Sequence, residues 1–274
     1  MHYYEVVAHP ALRPFIRCFW GLRSSAARPE LQRVLPDGWC ELVIHCGDRF
    51  TQHLDGRSVA QPRCLLVGPT MRALSIAPGR RVDAIGIRFE PGGAALVVNT
   101  PLSELRDTVS PVEDIGAGFA YDIIDALAPR TDAARINLLE EILLRCVQHV
   151  AVDREVTHTQ QTVIRRGGLV GLDELASATG LSPRQLQRRF QQQVGLSPKQ
   201  LARIARLQRA LAIASRHPFT YSRIAAEAGY ADQAHFTREF TSIAGVPPTR
   251  YFTEIHTLHD LFTAGALSGP GTTY

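Results

Sequence analysis

Two stretches in the C-terminal third carry side chains that could bind the edges of nucleotide bases, and they recur at helical spacing. The first stretch carries Arg184, Gln187, Arg188 and Gln191. The second carries Gln233, Thr237, Arg238 and Thr241. Arginine pairs with guanine O6 and N7, glutamine pairs with adenine, and the threonine methyl group contacts that of thymine. These residue types therefore favour recognition of duplex DNA over the alternative of an ordinary solvated helix face.

Both stretches belong to an internal repeat, in which each copy has a glycine, an inward phenylalanine, a second glycine and a proline. The first copy contains Leu175, Gly180, Phe190, Gly195 and Pro198. The second contains Ile224, Gly229, Phe240, Gly245 and Pro248, and its turn is one residue longer. A glycine permits the sharp turn between two short helices. Each copy therefore predicts a helix-turn-helix unit, and residues 198–215 predict one helix that connects the two units.

The second helix of each unit has a predicted start, a buried side and an outward side. Ser182 and Asp232 are good N-caps, and Pro183 suits a first helical turn. Leu186 with Phe190, and likewise Phe236 with Phe240, are predicted to point inward. The candidate DNA contacts are Ser182, Arg184, Gln187, Arg188, Gln191, Asp232, Gln233, His235, Thr237 and Arg238. Arg184 could contact a phosphate instead of a base.

On these residues the C-terminal region resembles the DNA-binding domain of the AraC/XylS family of bacterial transcription regulators. The resemblance covers roughly residues 160–255. Four blocks carry it: Leu186-Gln187-Arg188-Arg189-Phe190, Ile224-Ala225 with Gly229-Tyr230, Phe236-Thr237-Arg238-Glu239-Phe240, and Gly245-Val246-Pro247-Pro248-Thr249-Arg250-Tyr251.

The resemblance implies two seven-helix halves, joined by the connecting helix, that read successive major-groove segments ~34 Å apart. It implies that the distal unit can touch RNA polymerase. It also implies a cupin-like N-terminal domain that binds a small-molecule effector or forms a homodimer. Activation and repression both stay open, and no cofactor is expected.

The N-terminal part has the pattern of short strands followed by helices. Strands are predicted at 39–46, 65–68, 73–77 and 82–90, with turn signals at 35–38 and 47–48. Many short strands predict a small β-sandwich or barrel. The chain is therefore expected to be α+β: a cupin-like barrel or sandwich with flanking helices, followed by an all-α tandem helix-turn-helix domain.

One face of the first predicted strand is the candidate ligand site. Trp39, Glu41 and His45 alternate with Leu42 and its neighbours, so they could line a barrel interior and bind an effector. The alternative is that this face is open to solvent and that the Leu42 face is the core. With nothing in the sequence to orient the strand, the solvent interpretation is favoured.

The five cysteines suggest two further hypotheses. Cys40, His45, Cys46 and His53 form a possible metal-binding cluster, but one strand cannot converge Cys40, Cys46 and His45 on one ion. The alternative function is a DNA-binding enzyme or repair-type protein with a reactive cysteine, which would have to be Cys64 or Cys40. A nucleophilic cysteine needs a basic neighbourhood, and only Arg63 supplies one. Buried reduced thiols are the favoured interpretation.

A helix is predicted from an N-cap at Thr131 to Val150, with apolar residues along one side. That side could pack on the sheets or form a subunit contact. Residues 153–168 are polar and are predicted to be a linker. The expected divisions are therefore a sensing or dimerisation domain at 1–152, the linker at 153–168, the DNA-binding domain at 169–255 and a flexible tail at 256–274.

Charge and composition agree with a globular DNA-binding protein. Hydrophobic residues make up 45 % of the 274 residues and charged residues 20 %. Residues 160–255 hold 13 Lys+Arg and 6 Asp+Glu, a net charge of +7, whereas the rest of the chain has a net charge of −3. A basic segment favours phosphate contacts. With no visible secretory signal and no apolar run of membrane-spanning length, a cytoplasmic location without membrane contact is expected.

Overall fold

Short strands rich in apolar residues form two stacked antiparallel sheets in the N-terminal part. The computed structural model describes residues 2–25, 30–54, 56–115, 120–215 and 220–254. Within these ranges the strands are β1 (His2–Val6), β2 (Ile16–Ser24), β3 (Gln32–Val34), β4 (Cys40–His45), β5 (Thr51–Leu54), β6 (Arg57–Ala60), β7 (Cys64–Val67), β8 (Leu74–Ala77), β9 (Val82–Phe89) and β10 (Val109–Pro111). One sheet has the order β1-β2-β9-β4-β7-β10 and the other β3-β8-β5-β6. No pairing between described strands closes them into a barrel, so the domain is a sandwich.

The middle strand β4 is buried on both faces. Leu42 and Ile44 pack in the cluster under the helices, whereas Val43 packs in the cluster between the two sheets. His45 has no exposed surface. The interpretation of the Trp39, Glu41 and His45 face as the solvent face is therefore wrong, because the second sheet covers it.

The helix predicted at 131–150 belongs to the core of this domain. Helix α1 (Ala120–Leu127) precedes α2 (Asp132–Cys146), and short 3₁₀ turns lie at Gly93–Leu96, Val112–Ile115 and Val147–His149. Thr131 caps α2 as predicted, since its side chain accepts a hydrogen bond from Ala134 N. Leu139 and Leu143 are completely buried against the six-stranded sheet. The apolar side of α2 is thus an intramolecular packing surface rather than a subunit contact.

The C-terminal part is helical. Its helices are α3 (Arg154–Arg165), α4 (Leu172–Thr179), α5 (Pro183–Val194), α6 (Pro198–Ala214), α7 (Tyr221–Ala228), α8 (Gln233–Ala244) and α9 (Pro248–Tyr251). We call α4 with α5 the first unit and α7 with α8 the second unit. The described residues hold seven helices for both halves together, so the expectation of two seven-helix halves is wrong. Helix α6 is the predicted connecting helix.

The segment predicted to be a linker is largely helical. Residues 154–165 form α3, and its Val156 and Val163 are fully buried with Leu186 and Phe190 of the first unit. An amphipathic pattern underlies the polar composition, because buried positions recur at 156, 159, 160 and 163. The predicted tail at 256–274 lies outside the described residues. None of the described helices is long and apolar enough to cross a membrane.

Candidate nucleic-acid interface

The second helix of each unit starts at a side-chain cap. Ser182 Oγ accepts a hydrogen bond from Gln185 N at 3.3 Å, and Gln185 Oε1 accepts one from Ser182 N at 3.0 Å. In the second unit, Asp232 Oδ1 accepts a hydrogen bond from His235 N at 2.6 Å. These caps fix where α5 and α8 begin. Ser182 and Asp232, both candidate DNA contacts, therefore have a structural role; their contact with DNA stays a prediction.

Glycines make the turn that leads into each of these helices. Gly180 and Gly229 have φ angles of 68° and 83°, the left-handed conformation that disfavours other residues. At Gly229 space is limiting as well, since a Cβ atom would lie 2.4 Å from Leu169 Cδ2. The turn of the second unit thus packs against the segment that enters the first.

The inward sides of α5 and α8 are apolar and match each other. Leu186 and Phe190 have no exposed surface, and neither do Phe236 and Phe240. The two sets lie in separate clusters, one in each unit. Each helix therefore has one anchored side, and the opposite side is left for contacts outside the chain.

On the outward sides, Arg184, Gln187, Arg188, Gln233 and Arg238 are exposed. Gln191, Thr237 and His235 are half-buried. The Thr237 hydroxyl donates to the carbonyl oxygen of Gln233 at 2.9 Å, which leaves its methyl group as the part free for an apolar contact. Arg188 and Arg238 stand two residues before the inward phenylalanines and are therefore equivalent positions in the two units.

His235 has partners inside the protein. Its Nδ1 accepts a hydrogen bond from Ala231 N at 3.3 Å, and its Nε2 lies 3.2 Å from Glu239 Oε2. Both ring nitrogens of this candidate DNA contact are therefore engaged by the protein itself.

Two residues next to the equivalent arginines hold the recognition helices in place, and sequence reasoning missed them. Arg189 donates from Nε and Nη2 to both carboxylate oxygens of Asp153, at 2.7 and 2.6 Å, and its Nη2 also reaches Glu155 Oε2 at 2.9 Å. Burial raises the pKa of Asp153, but hydrogen bonds from Arg189 and from Val156 N outweigh burial and hold that pKa below its usual value. The pairing ties α5 to α3.

The equivalent position in the second unit carries the opposite charge. Glu239 is buried; its Oε1 lies 3.1 Å from Arg203 Nε and 3.7 Å from Arg206 Nη2, both on α6. Arg206 also lies over the ring of Tyr230, 5.8 Å from its centroid. The only sequence signal for these ion pairs is that the two copies of the repeat carry charged residues of opposite sign at the equivalent positions 189 and 239.

The predicted ligand residues each have a partner in the protein. Arg17 lies over the Trp39 ring at 4.5 Å, and Arg88 Nε donates to Glu41 Oε1 at 2.7 Å. His45 Nε2 is 3.2 Å from Gln61 Oε1, and burial lowers the pKa of His45 to about 4. Effector binding by Trp39, Glu41 and His45 stays a prediction.

The thiols named for the alternative function are buried. Burial raises the pKa of the Cys64 thiol to about 12 and that of the Cys40 thiol further still. A nucleophilic cysteine needs a lowered pKa and access to solvent. Within the ranges that the structure describes, no three His, Cys, Asp or Glu residues are grouped so that they could hold a metal ion.

Two known protein families match this chain, one in each part of the structure. Residues 175–254 match a family described as a helix-turn-helix domain, and residues 4–111 match a family described as a domain of unknown function (DUF6597). The F1 operon positive regulatory protein of Yersinia pestis is 35% identical over 82 residues, which are 30% of this chain and 27% of that protein. The match thus spans little more than a quarter of the relative's length.

Solved structures of similar proteins include two from other bacteria. ToxT from Vibrio cholerae is 10% identical, with a TM-score of 0.48, and the alignment covers 86% of this chain and 98% of ToxT. A probable AraC family transcriptional regulator from Rhodopseudomonas palustris is 25% identical, with a TM-score of 0.34, over 37% of this chain and 96% of that one.

Proposed function

The C-terminal region of this chain belongs to the AraC-type helix-turn-helix family, and on that premise we propose that the protein regulates transcription by reading two successive major-groove segments. One observation carries the proposal: Arg188 and Arg238 are exposed at equivalent positions of two helices whose opposite sides are anchored by buried phenylalanines. Arginine is the side chain that most often reads guanine in the major groove. The net charge of +7 over residues 160–255 supports phosphate contacts on either side.

The test is a pair of arginine substitutions measured on selected DNA. The wild-type chain first selects its sites from a random duplex library. Arg188→Ala and Arg238→Ala should then each weaken specific binding by about 1–3 kcal/mol, which is roughly 5- to 150-fold. Each should relax base preference at its own position, and the two positions should lie about one helical turn apart.

The matched control is Arg145→Ala, which removes an arginine whose side chain is 75% exposed on α2 of the N-terminal domain, outside both units. It should leave DNA affinity unchanged. If both test variants bind every site variant as the wild type does, the groove-reading proposal fails. If only Arg188→Ala has an effect, the second unit is better assigned to polymerase contact than to base reading.

For control of DNA binding we propose a small ligand at the boundary of the two parts of the chain. A cavity of 280 Å³ lies there, and its lining includes Asn99, Leu102, Gln192 and Gln193. A ligand in it would touch the N-terminal domain and the end of α5 together, whereas Trp39, Glu41 and His45 already have protein partners. Ala95 also lines this cavity, and Ala95→Trp, which occupies part of it, should weaken any effector dependence of DNA affinity; an unchanged effector response would place the ligand elsewhere. A homodimer and contact with RNA polymerase stay predictions.

A further inference from the structure

The C-terminal ends of both recognition helices contact the N-terminal domain through carbonyl groups at equivalent positions of the repeat. In α5 the Gln193 oxygen accepts a hydrogen bond from Gly92 N at 3.2 Å, and in α8 the Ile243 oxygen accepts one from Ala73 N at 2.8 Å. Gln193 and Ile243 each stand three residues after the inward phenylalanine, so they are equivalent in the repeat. The last carbonyls of a helix have no partner within it. The N-terminal domain therefore supplies backbone donors at matching places in the two units.

The loop between β3 and β4 also contributes an apolar side chain to the second unit. Leu35 is 2% exposed and packs in the cluster of Leu207, Phe236 and Phe240 rather than in either cluster of the N-terminal domain. The core of the second unit is therefore completed by a residue nearly two hundred positions earlier in the chain.

A second loop touches both units within five residues. Pro69 lies so close to Gly195, at the end of α5, that a Cβ atom there would be 2.4 Å from the proline ring. Met71 packs on the cluster of the first unit, and Ala73 packs on that of the second. The segment 69–73 thus bridges the two units from outside.

Polar contacts also join the loop between β3 and β4 to the connecting helix, and strand β3 to the segment that follows α9. Gln208 Nε2, on α6, donates to the Pro36 oxygen at 2.7 Å. Arg33 Nε lies 3.1 Å from Glu254 Oε2, just after α9. Neither contact involves a residue on the outward sides of α5 and α8.

Without these contacts the relative position of the two units would depend on helix α6 and on the packing of Leu169 against Gly229. Helix α6 contributes Leu201 and Ile204 to the cluster of the first unit and Leu207 and Ala210 to that of the second. A helix of 17 residues is ~25 Å long, and it fixes the distance between the two units better than it fixes their rotation about the helix axis. Contacts from the N-terminal domain to both recognition helices restrict that rotation as well.

We propose that the N-terminal domain braces the two helix-turn-helix units and thereby sets the spacing between the two DNA half-sites that the protein accepts. This rests on the proposed function, since it requires both units to read DNA. It makes Leu35, Arg33 and Gln208 positioning residues that determine specificity for spacing without touching a base.

The experiment is selection from a random duplex library with the full-length wild type and with Leu35→Ala. The wild type should enrich pairs of half-sites at one spacing. Leu35→Ala should enrich the same half-site sequences spread over several spacings, because the brace on the second unit is loosened. Leu54→Ala is the matched control, because this leucine is 61% exposed on β5, and it should keep the wild-type spacing.

A second variant keeps the test decisive if Leu35→Ala does not fold. The double substitution Arg33→Ala with Gln208→Ala removes both polar contacts and leaves no apolar cavity, and it should also broaden the spacing. A single unchanged spacing in a folded variant would overturn the proposal that the N-terminal domain sets the spacing, and so would altered half-site sequences. If the wild type enriches no paired half-sites at all, it is the proposed function that fails, a result distinguishable from failure of the brace alone.

Discussion

Substitution of Glu239 separates the residues that hold the second recognition helix from those that face DNA. Glu239 and Arg238 are neighbours in the sequence, but Glu239 is buried between α8 and α6, whereas Arg238 is exposed. We expect Glu239→Ala to destabilise the second unit and Arg238→Ala to leave stability unchanged. We expect the Arg238→Ala protein to be fully folded and to bind DNA more weakly than the wild type.

The magnitude follows from how much solvent reaches the contacts. The Glu239 side chain is 8% exposed, while those of Arg203, Arg206 and His235 are 34%, 23% and 39% exposed. A hydrogen bond to a charged group is worth ~1.5–3 kcal/mol, whereas a solvent-screened ion pair is worth ~0–1 kcal/mol. One bond to Arg203 at the low end and two screened contacts give a loss of about 2–3 kcal/mol for Glu239→Ala. Glu239→Gln, which keeps an acceptor oxygen, should lose about 1 kcal/mol.

The assay is urea unfolding followed by circular dichroism, with hydrogen exchange to locate the effect. Faster exchange in α8 and the adjoining part of α6 should accompany the loss of stability in Glu239→Ala. A Glu239→Ala variant within 0.5 kcal/mol of the wild type would refute the argument. So would an Arg238→Ala variant as unstable as Glu239→Ala, because the exposed side of α8 would then be structural.

Three further predictions concern the N-terminal domain. Partial burial raises the pKa of Asp83, but the hydrogen bonds from Arg135 outweigh burial and hold it below its usual value, so this pair stabilises the fold above pH ~4 and the stabilisation is lost as the pH falls through the lowered pKa. Arg135→Met should therefore reduce stability at pH 7 by about 2–3 kcal/mol in urea titrations, and a gap that does not narrow at all as the pH is lowered from 7 towards 2 would contradict this. Leu143→Asp should unfold the domain in thermal melts, whereas dissociation of a still-folded dimer would show that α2 is a subunit contact. At neutral pH a thiol reagent should label half-exposed Cys146 before buried Cys64, as mass spectrometry would show; the reverse order would revive the reactive-cysteine hypothesis.

The C-terminal fold was predictable because its signals are local. Each unit carries its signals within a dozen residues: a turn glycine, a cap (Ser182 or Asp232) and an apolar pair at i, i+4. The same signals occur in both copies of the repeat. Polar composition, by contrast, misidentified α3 as a linker. Its buried side includes Thr159 and Gln160, which are fully or almost fully buried without being apolar, so the apolar period is weak.

The sandwich was less predictable because its strands obtain their burial from distant partners. Strand β2 has almost no period-2 pattern, since both of its faces are covered: Phe19 packs under the helices and Trp20 between the sheets. The orientation of β4 could not be decided for the same reason. Its Glu41 looks solvent-facing in the sequence, and only the structure brings Arg88 of β9 within 2.7 Å of it.

The opposite charges at positions 189 and 239 disfavour an exchange of the two recognition helices between the two similar units. In the first unit, acidic Glu155 on the preceding helix meets Arg189; in the second unit, basic Arg203 on the preceding helix meets Glu239. If α5 packed on α6 in the place of α8, Arg189 would face Arg203 and Arg206, and three positive charges would be brought together in a partly buried site. If α8 packed on α3, Glu239 would face two carboxylates, Asp153 and Glu155. Apolar packing alone would not distinguish the two arrangements, because Leu186 with Phe190 and Phe236 with Phe240 present nearly the same surface. The ion pairs therefore favour the native choice of partner helix in addition to stabilising it, which is the effect expected of charge patterns between similar interfaces.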